Sequence, residues 1–221
     1  MYIIDQTYFQ KELSIPNLNE MDSDVLTDLE IIIDKYVRSL LRGALGNILF
    51  KDLDSNIANG VLKDTAPDKW KNLVNGVEYT KDEVVYNWPG LIQTEGTFKN
   101  SILAKFVYFY WLKDSVSLLT GTGEKNITAE GAIGSNSTQK LVTVWNSFIE
   151  DYQPNYEGGY HQQFMTRYSY YPYPSDLPIF DCLANNADTG IVSLIQFLTD
   201  SETDYPDAAL TMYEPMNQLG L

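Results

Sequence analysis

Asp52-x-Asp54-x-Asn56 opens with the oxygen spacing of a calcium loop, the first place in this chain where residue type and interval suggest a chemistry. Such a loop needs glycine for its sharp turn and a bidentate glutamate to close the cage. Ile57 and Lys63 stand at those two places, so the motif fails twice. Gly121-Thr122-Gly123-Glu124 has the glycines of a phosphate cradle without the Gly-Lys-Ser/Thr ending, and reads as a connection between helices. Nucleophilic or zinc chemistry would have to draw on one histidine, His161, and one cysteine, Cys182. No nucleophile-elbow sequence surrounds either, and a His/Cys zinc site cannot be completed within one chain. Cys182 reads as a buried structural thiol and His161 as an exposed or hydrogen-bonding residue of a tyrosine-rich loop. Paired carboxylates offer a glycosidase reading at Glu150–Asp151 and Glu202–Asp204. Catalytic carboxyls must face each other across a cleft, whereas neighbouring acids at a helix end or in a loop face solvent. The expectation is therefore no catalytic residue, no metal and no cofactor.

Whatever surfaces act in place of a catalytic site must be positioned by a core, and the stretch that organises it is Phe98 to Leu119. Read as one helix, it has no fully polar face over its middle, which calls for burial on all sides. Its apolar run, broken by Lys105, is too short to cross a membrane. Ahead of it, Asp22 or Ser23 caps a helix whose stripe runs Val25, Leu29, Ile32, Tyr36 and Leu40, with Gly43 and Gly46 marking its end. Asp34 and Arg38 sit one turn apart and can pair. Pro67 to Val74, carrying Trp70, fits a short helix, and Val77 to Tyr86 alternates like a small hairpin. Trp88, in the Trp-Pro-Gly turn, is expected beside the central helix. Ser135 or Ser137 starts a further helix with Leu141, Val144, Trp145, Phe148, Ile149 and Tyr152 on one face, stopped by Pro154. That helix and the central one are expected to pack antiparallel with Trp111 and Trp145 facing a shared core. Thr189 caps a last helix through Leu198.

The fold class that follows is mainly α: a helical bundle with a small β or irregular insertion and extended arms. Residues 1–18 form an N-terminal arm, 19–154 the bundle core with an irregular insertion at about 47–96, and 155–221 a tyrosine-rich extension, a short helix and an acidic tail. The N-terminus lacks the basic start and apolar run of a signal peptide, so assembly in the cytosol is expected. Matches to the glycosylation pattern at Asn126 and Asn136 carry little meaning in such a chain.

Charge excludes some partners. With 15 Lys+Arg against 30 Asp+Glu the formal net charge is -15, which argues against a protein that grips nucleic-acid phosphates. After Arg167 there is no basic residue at all. Asp200, Glu202, Asp204 and Asp207 fall in that region, and they are candidates for a face that meets a basic partner or repels DNA, the plainer reading being solvation of an extended surface. Tyrosines and prolines crowd Asn155 to Pro178. Rigid tyrosines on irregular backbone suit protein interfaces, and they equally suit a loop folded over its own core. Partner-interface candidates are Tyr2, Tyr8, Phe9, Tyr168, Tyr170, Tyr171, Tyr173, Tyr205 and Tyr213.

The order of these features, a capped helix, Trp88-Pro-Gly-Leu91, the aromatic FVYFYWLKD, TGTGE, QKLVTVWNSFIEDY and SLIQFLTDSETDYPD, resembles the head-tail connector proteins of tailed bacteriophages. Within them it is most similar to the ring or adaptor proteins of crAss-like and related Bacteroides phages. The resemblance spans the chain from about Asp24 onward. It implies a helical-bundle subunit of the virion neck, made in the host cytoplasm, that assembles into a ring, usually a dodecamer, beneath the portal and contacts other neck and tail proteins. It implies DNA passing through without specific binding, no membrane and no catalytic residues. The alternative from residue chemistry is a non-catalytic carbohydrate-binding module using Trp and Tyr faces as platforms.

Overall fold

The computed structural model describes residues 3–15, 18, 23–120, 123–126, 137–153 and 190–216. The first long element is α1 (Ser23–Ser55), with Leu29, Ile33, Val37, Leu40, Leu41, Ala44 and Leu45 buried along one stripe. Spacing of three and four residues keeps these side chains on one face. Gly46 does not end the helix as expected. It adopts φ 77 and ψ 170, a conformation costly for any residue with a Cβ, and the helix bends there and resumes with Leu49, Phe50 and Leu53 continuing the buried stripe. The carbonyls freed at the bend find partners in the C-terminal segment: Leu210 N–H donates to Ala44 O at 2.9 Å and Thr211 N–H to Gly43 O at 3.0 Å.

The expectation of a mainly α bundle is overturned between residues 57 and 101. Three two-stranded antiparallel ladders lie there: β1 (Ile57–Ala58) with β2 (Val61–Leu62), β3 (Val77–Lys81) with β4 (Val84–Trp88), and β5 (Ile92–Glu95) with β6 (Phe98–Ser101). Between the first two ladders sits α2 (Asp68–Asn75), close to its expected bounds, with Trp70, Leu73 and Val74 buried. The fold is thus a mixture of helices and hairpins, and the stretch 47–96 is ordered as the end of α1, two hairpins, α2 and β5 rather than irregular. The physical reason is local. Asn59 and Gly60 take φ 53 and 77, and Asp82 and Glu83 take φ 51 and 65, the positive values that tight two-residue hairpin turns demand.

The central helix is correspondingly shorter than expected. Phe98–Ser101 is strand, and α3 covers Ile102–Val116. Ser101 sets the boundary: its Oγ accepts from Leu103 N at 3.1 Å, as an N-cap does, and donates to Leu91 O at 2.7 Å. Beyond α3 a further ladder pairs β7 (Ser117–Thr120) with β8 (Gly123–Asn126), and α4 (Ser137–Tyr152) follows. Contacts between α3 and α4 run in opposite senses along the two helices: Lys105 meets Asp151, Phe106 meets Phe148, and Phe109 meets Trp145. The expected antiparallel packing holds. Its contents differ, because Phe106 and Phe109 face α4 while Trp111 is half-buried against Tyr108. The other sides of α3 are covered by α1, where Tyr36 stacks on Tyr110 at 4.4 Å, and by the N-terminal segment, whose Ser14 carbonyl accepts from the Tyr108 hydroxyl.

Residues 3–15 dock onto the chain's own core. Two single 3-10 turns, Gln6–Tyr8 and Lys11–Leu13, bury Ile4, Tyr8, Phe9, Leu13 and Ile15 in the common core. The last helix, α5 (Leu194–Asp200), starts later than expected and is capped by Ser193, whose side chain accepts from Gln196 N; Thr189 lies outside the described residues. Trp88 stacks on Phe197 of α5 at 5.5 Å, and its indole N–H donates to Leu73 O, so it seals α5 to α2. No helix among the described residues is long and apolar enough to cross a membrane.

Candidate functional site

Of the nine aromatic residues expected at an interface, the four that fall among the described residues turn inward. Tyr8, Phe9 and Tyr205 are buried in the chain's own core, the Tyr205 hydroxyl donating to Lys69 O and its ring meeting Trp70 and Phe197. Tyr213 is half-buried and inserts among Phe106, Trp145, Phe148 and Tyr152. Tyr2, Tyr168, Tyr170, Tyr171 and Tyr173 lie outside the described residues, as do His161 and Cys182.

The acidic candidates divide. Glu202, Asp204 and Asp207 are exposed on the turns after α5. Asp200 belongs to no acidic face: its side chain is 2% exposed and accepts from Lys81 Nζ at 2.6 Å, Tyr79 OH at 2.7 Å and Gln196 Nε2 at 2.8 Å. Burial by itself would raise the carboxyl's pKa, but the hydrogen bonds from Lys81, Gln196 and Tyr79 outweigh it and hold the group below its ordinary value. The same contact works in reverse on Tyr79, whose phenol is raised by burial and by the neighbouring carboxylate. This cluster ties the β3–β4 ladder to α5.

The remaining charges of the sequence motifs are also engaged internally. Asp52 pairs with Lys69 at 3.0 Å, Arg38 reaches both Asp34 at 2.8 Å and Asp54 at 3.4 Å, and Asn56 Nδ2 donates to Asp52 O. These oxygens end a helix rather than line a cage. Asp151, one of the two carboxylates weighed for catalysis, accepts from Lys105 at 2.6 Å. Among the described residues no group of three or more His, Cys, Asp or Glu side chains is placed to hold a metal ion.

A groove of about 590 Å³ lies between the N-terminal segment, the β1–β2 hairpin, α2 and β5, with Lys63, Lys71 and Lys99 against Asp5 and Asp64 on its walls. Each amine has a partner: Lys63 donates to Ser55 O, Lys99 to Thr7 Oγ1, and Lys71 stands 3.7 Å from Asp68. The groove is a polar seam with nearly balanced charge.

The surface feature that residue spacing did not single out is apolar. Residues 190–192 run alongside β4, with Asn87 N–H donating to Gly190 O at 2.7 Å and Val192 N–H to Asn87 O at 3.1 Å. On this paired backbone Val84, Val85 and Ile191 are exposed, the last two by 52% and 55%. Ile31, Ile48 and Val61 are exposed elsewhere. One signal was available: adjacent valines in a strand point to opposite faces, so a two-stranded ladder cannot cover both. Trp70, Trp88 and Trp145, three of the four tryptophans, are buried. Comparisons with family models, curated proteins and solved structures return no match to this chain.

Proposed function

We propose that this chain is a structural subunit that works through its surfaces, and specifically a head-tail connector or adaptor ring protein of a tailed bacteriophage. The observation that carries the proposal is the pair of exposed apolar side chains, Val85 and Ile191, set on one face of a hydrogen-bonded backbone, with Val84 exposed on the other face. Exposed aliphatic groups on a rigid frame are what a protein–protein contact uses. The order of sequence features supports the finer reading; the helical bundle that the resemblance also implies is replaced in this chain by a mixture of helices and hairpins. In this reading the chain forms a ring, usually of twelve, beneath the portal, meets other neck and tail proteins, and sits in the virion neck after assembly in the host cytoplasm. Glu202, Asp204 and Asp207 are the acids available to face passing DNA, which fixed negative charge repels; Asp200 is not among them.

The carbohydrate-binding alternative loses three of its four tryptophan platforms, because Trp70, Trp88 and Trp145 are buried. Mixing the protein with the portal ring and measuring sedimentation velocity tests the proposal. Stoichiometric co-migration is expected. Binding to immobilised glycans by a protein that ignores the portal would overturn it in favour of the sugar-binding module.

A further inference from the structure

The segment Thr211–Met216 is held on α4 through its backbone. Asn146 Nδ2 donates to Met216 O and Asn146 Oδ1 accepts from Met216 N, both at 3.0 Å. Seven residues on, just past the end of α4, Gln153 does the same for Tyr213: Nε2 donates to its carbonyl and Oε1 accepts from its N–H, both at 2.9 Å. Trp145 Nε1 donates to Glu214 O and Tyr152 OH to Thr211 O, each at 2.8 Å. A spacing of seven residues is two helical turns, so the two carboxamides stand on one face. A carboxamide that meets both the N–H and the C=O of one residue imitates a neighbouring β-strand. Such a groove reads extended main chain whatever the side chains are. Selectivity comes from one residue, Tyr213, whose ring lies 5.1–5.9 Å from those of Phe106, Trp145, Phe148 and Tyr152.

The connection into this strap is short and strained. Tyr205 is anchored in the core, Pro206 follows, and Asp207 and Leu210 then adopt φ 59 and 46, left-handed values that non-glycine residues avoid. Leu210 lies five positions after the fixed Tyr205, a span of about 17 Å when extended. Strain in a short hinge is the condition under which an element leaves its own body and docks identically on another copy, because every contact is kept and only the hinge changes.

We propose that the α4 groove is an exchange site, and that its partner is a second copy of this chain. Residues 211–216 of one molecule occupy the groove of the next, Tyr213 entering the aromatic pocket and Asn146 and Gln153 pairing with the incoming backbone. The exchange needs two copies of the chain and nothing else, so it stands or falls apart from the connector reading.

Two full-length variants test it by complementation. Tyr213→Ala spoils the strap and leaves the groove; Asn146→Ala/Gln153→Ala spoils the groove and leaves the strap. Each alone is expected to remain monomeric by light scattering, while an equimolar mixture yields a one-to-one heterodimer in which the intact strap fills the intact groove, with at least tenfold tighter association than either self-pairing. A mixture that elutes as the sum of its two monomers overturns the proposal. Should either variant fail to fold, wild-type chain carrying a photoreactive residue at position 212 is mixed in isotopically heavy and light forms and warmed to just below its melting temperature. Cross-links of mixed mass joining the strap to residues 137–153 support exchange; cross-links of uniform mass alone refute it.

Discussion

Lys105 interrupts the apolar helix α3, and its contacts give a quantitative reason why that is tolerated. Its side chain is 12% exposed and its Nζ lies 2.6 Å from Asp151 and 3.0 Å from Ser147, both on α4. Removing the acid by Asp151→Ala leaves a largely buried ammonium group with Ser147 as its remaining partner on α4. Breaking a fully buried pair costs about 3–5 kcal/mol. Asp151 is 38% exposed, and Lys105 keeps Ser147 and a stem long enough to turn its head toward water, so the expected cost falls to about 1.5–3 kcal/mol. Lys105→Met removes the ion and keeps an unbranched chain of similar length, and replacing a buried ion with a packed hydrophobe is neutral or better in comparable cases; stability is expected within about 1 kcal/mol of wild type. Urea titrations at pH 7, compared at equal slope, measure both. The double variant should sit close to Lys105→Met, because the acid has nothing left to pair with. The reasoning is refuted if Lys105→Met is as damaging as Asp151→Ala, which would mean that the amine holds α3 to α4 by more than this contact.

Four further outcomes follow from particular contacts. Phe148→Ala, emptying the centre of the aromatic cluster, should cost about 3–5 kcal/mol, whereas Trp111→Ala at the margin should cost less than about 2 kcal/mol; thermal denaturation of both variants checks the order. Asp200→Asn should lower stability by about 2 kcal/mol at neutral pH. Because the folded carboxyl titrates below its ordinary value, its contribution is present above about pH 4 and is lost as the pH falls through the folded value, so urea midpoints of variant and wild type should converge at low pH. Gly90→Ala should cost about 2–4 kcal/mol, since Gly90 has φ +95 and a Cβ there would stand 2.6 Å from the Asn75 carbonyl carbon; a near-neutral effect in the same titration would show that this backbone can shift.

Sequence pattern located the elements whose signals are local. Pro67 and Trp70 mark α2, alternation marks the β3–β4 ladder, and the Trp145–Phe148–Tyr152 spacing marks α4. Where it failed, a stronger signal masked a weaker one. Phe98 to Ser101 was absorbed into the aromatic run behind it, although Gly96 before it opens a hairpin turn and Ser101 after it caps a helix. Gly43 and Gly46 looked like a helix end because glycine says only that the backbone can bend; that α1 resumes depends on Leu49, Phe50 and Leu53 finding the same core and on the strap satisfying the carbonyls at the bend. Asn59-Gly60 was a legible hairpin signal inside a stretch read as irregular. Asp200 read as one more acid in an acidic tail, and only its tertiary partners Tyr79 and Lys81, more than a hundred residues earlier, show it to be internal. Tyr8 and Tyr205 failed the same way: a tyrosine suits a core as well as an interface, and composition does not divide the two.

The claim that this molecule acts by assembly is tested most directly by mass photometry of the portal ring titrated with the protein, alongside the Val85→Lys/Ile191→Lys variant, whose substitutions lie on the exposed ladder. Wild type should add to the ring in steps of 25.1 kDa up to a closed complement, and the variant, folded normally by circular dichroism, should add poorly or not at all. A portal peak that keeps its mass at saturating wild-type protein, or a variant that loads as well as wild type, would contradict the account.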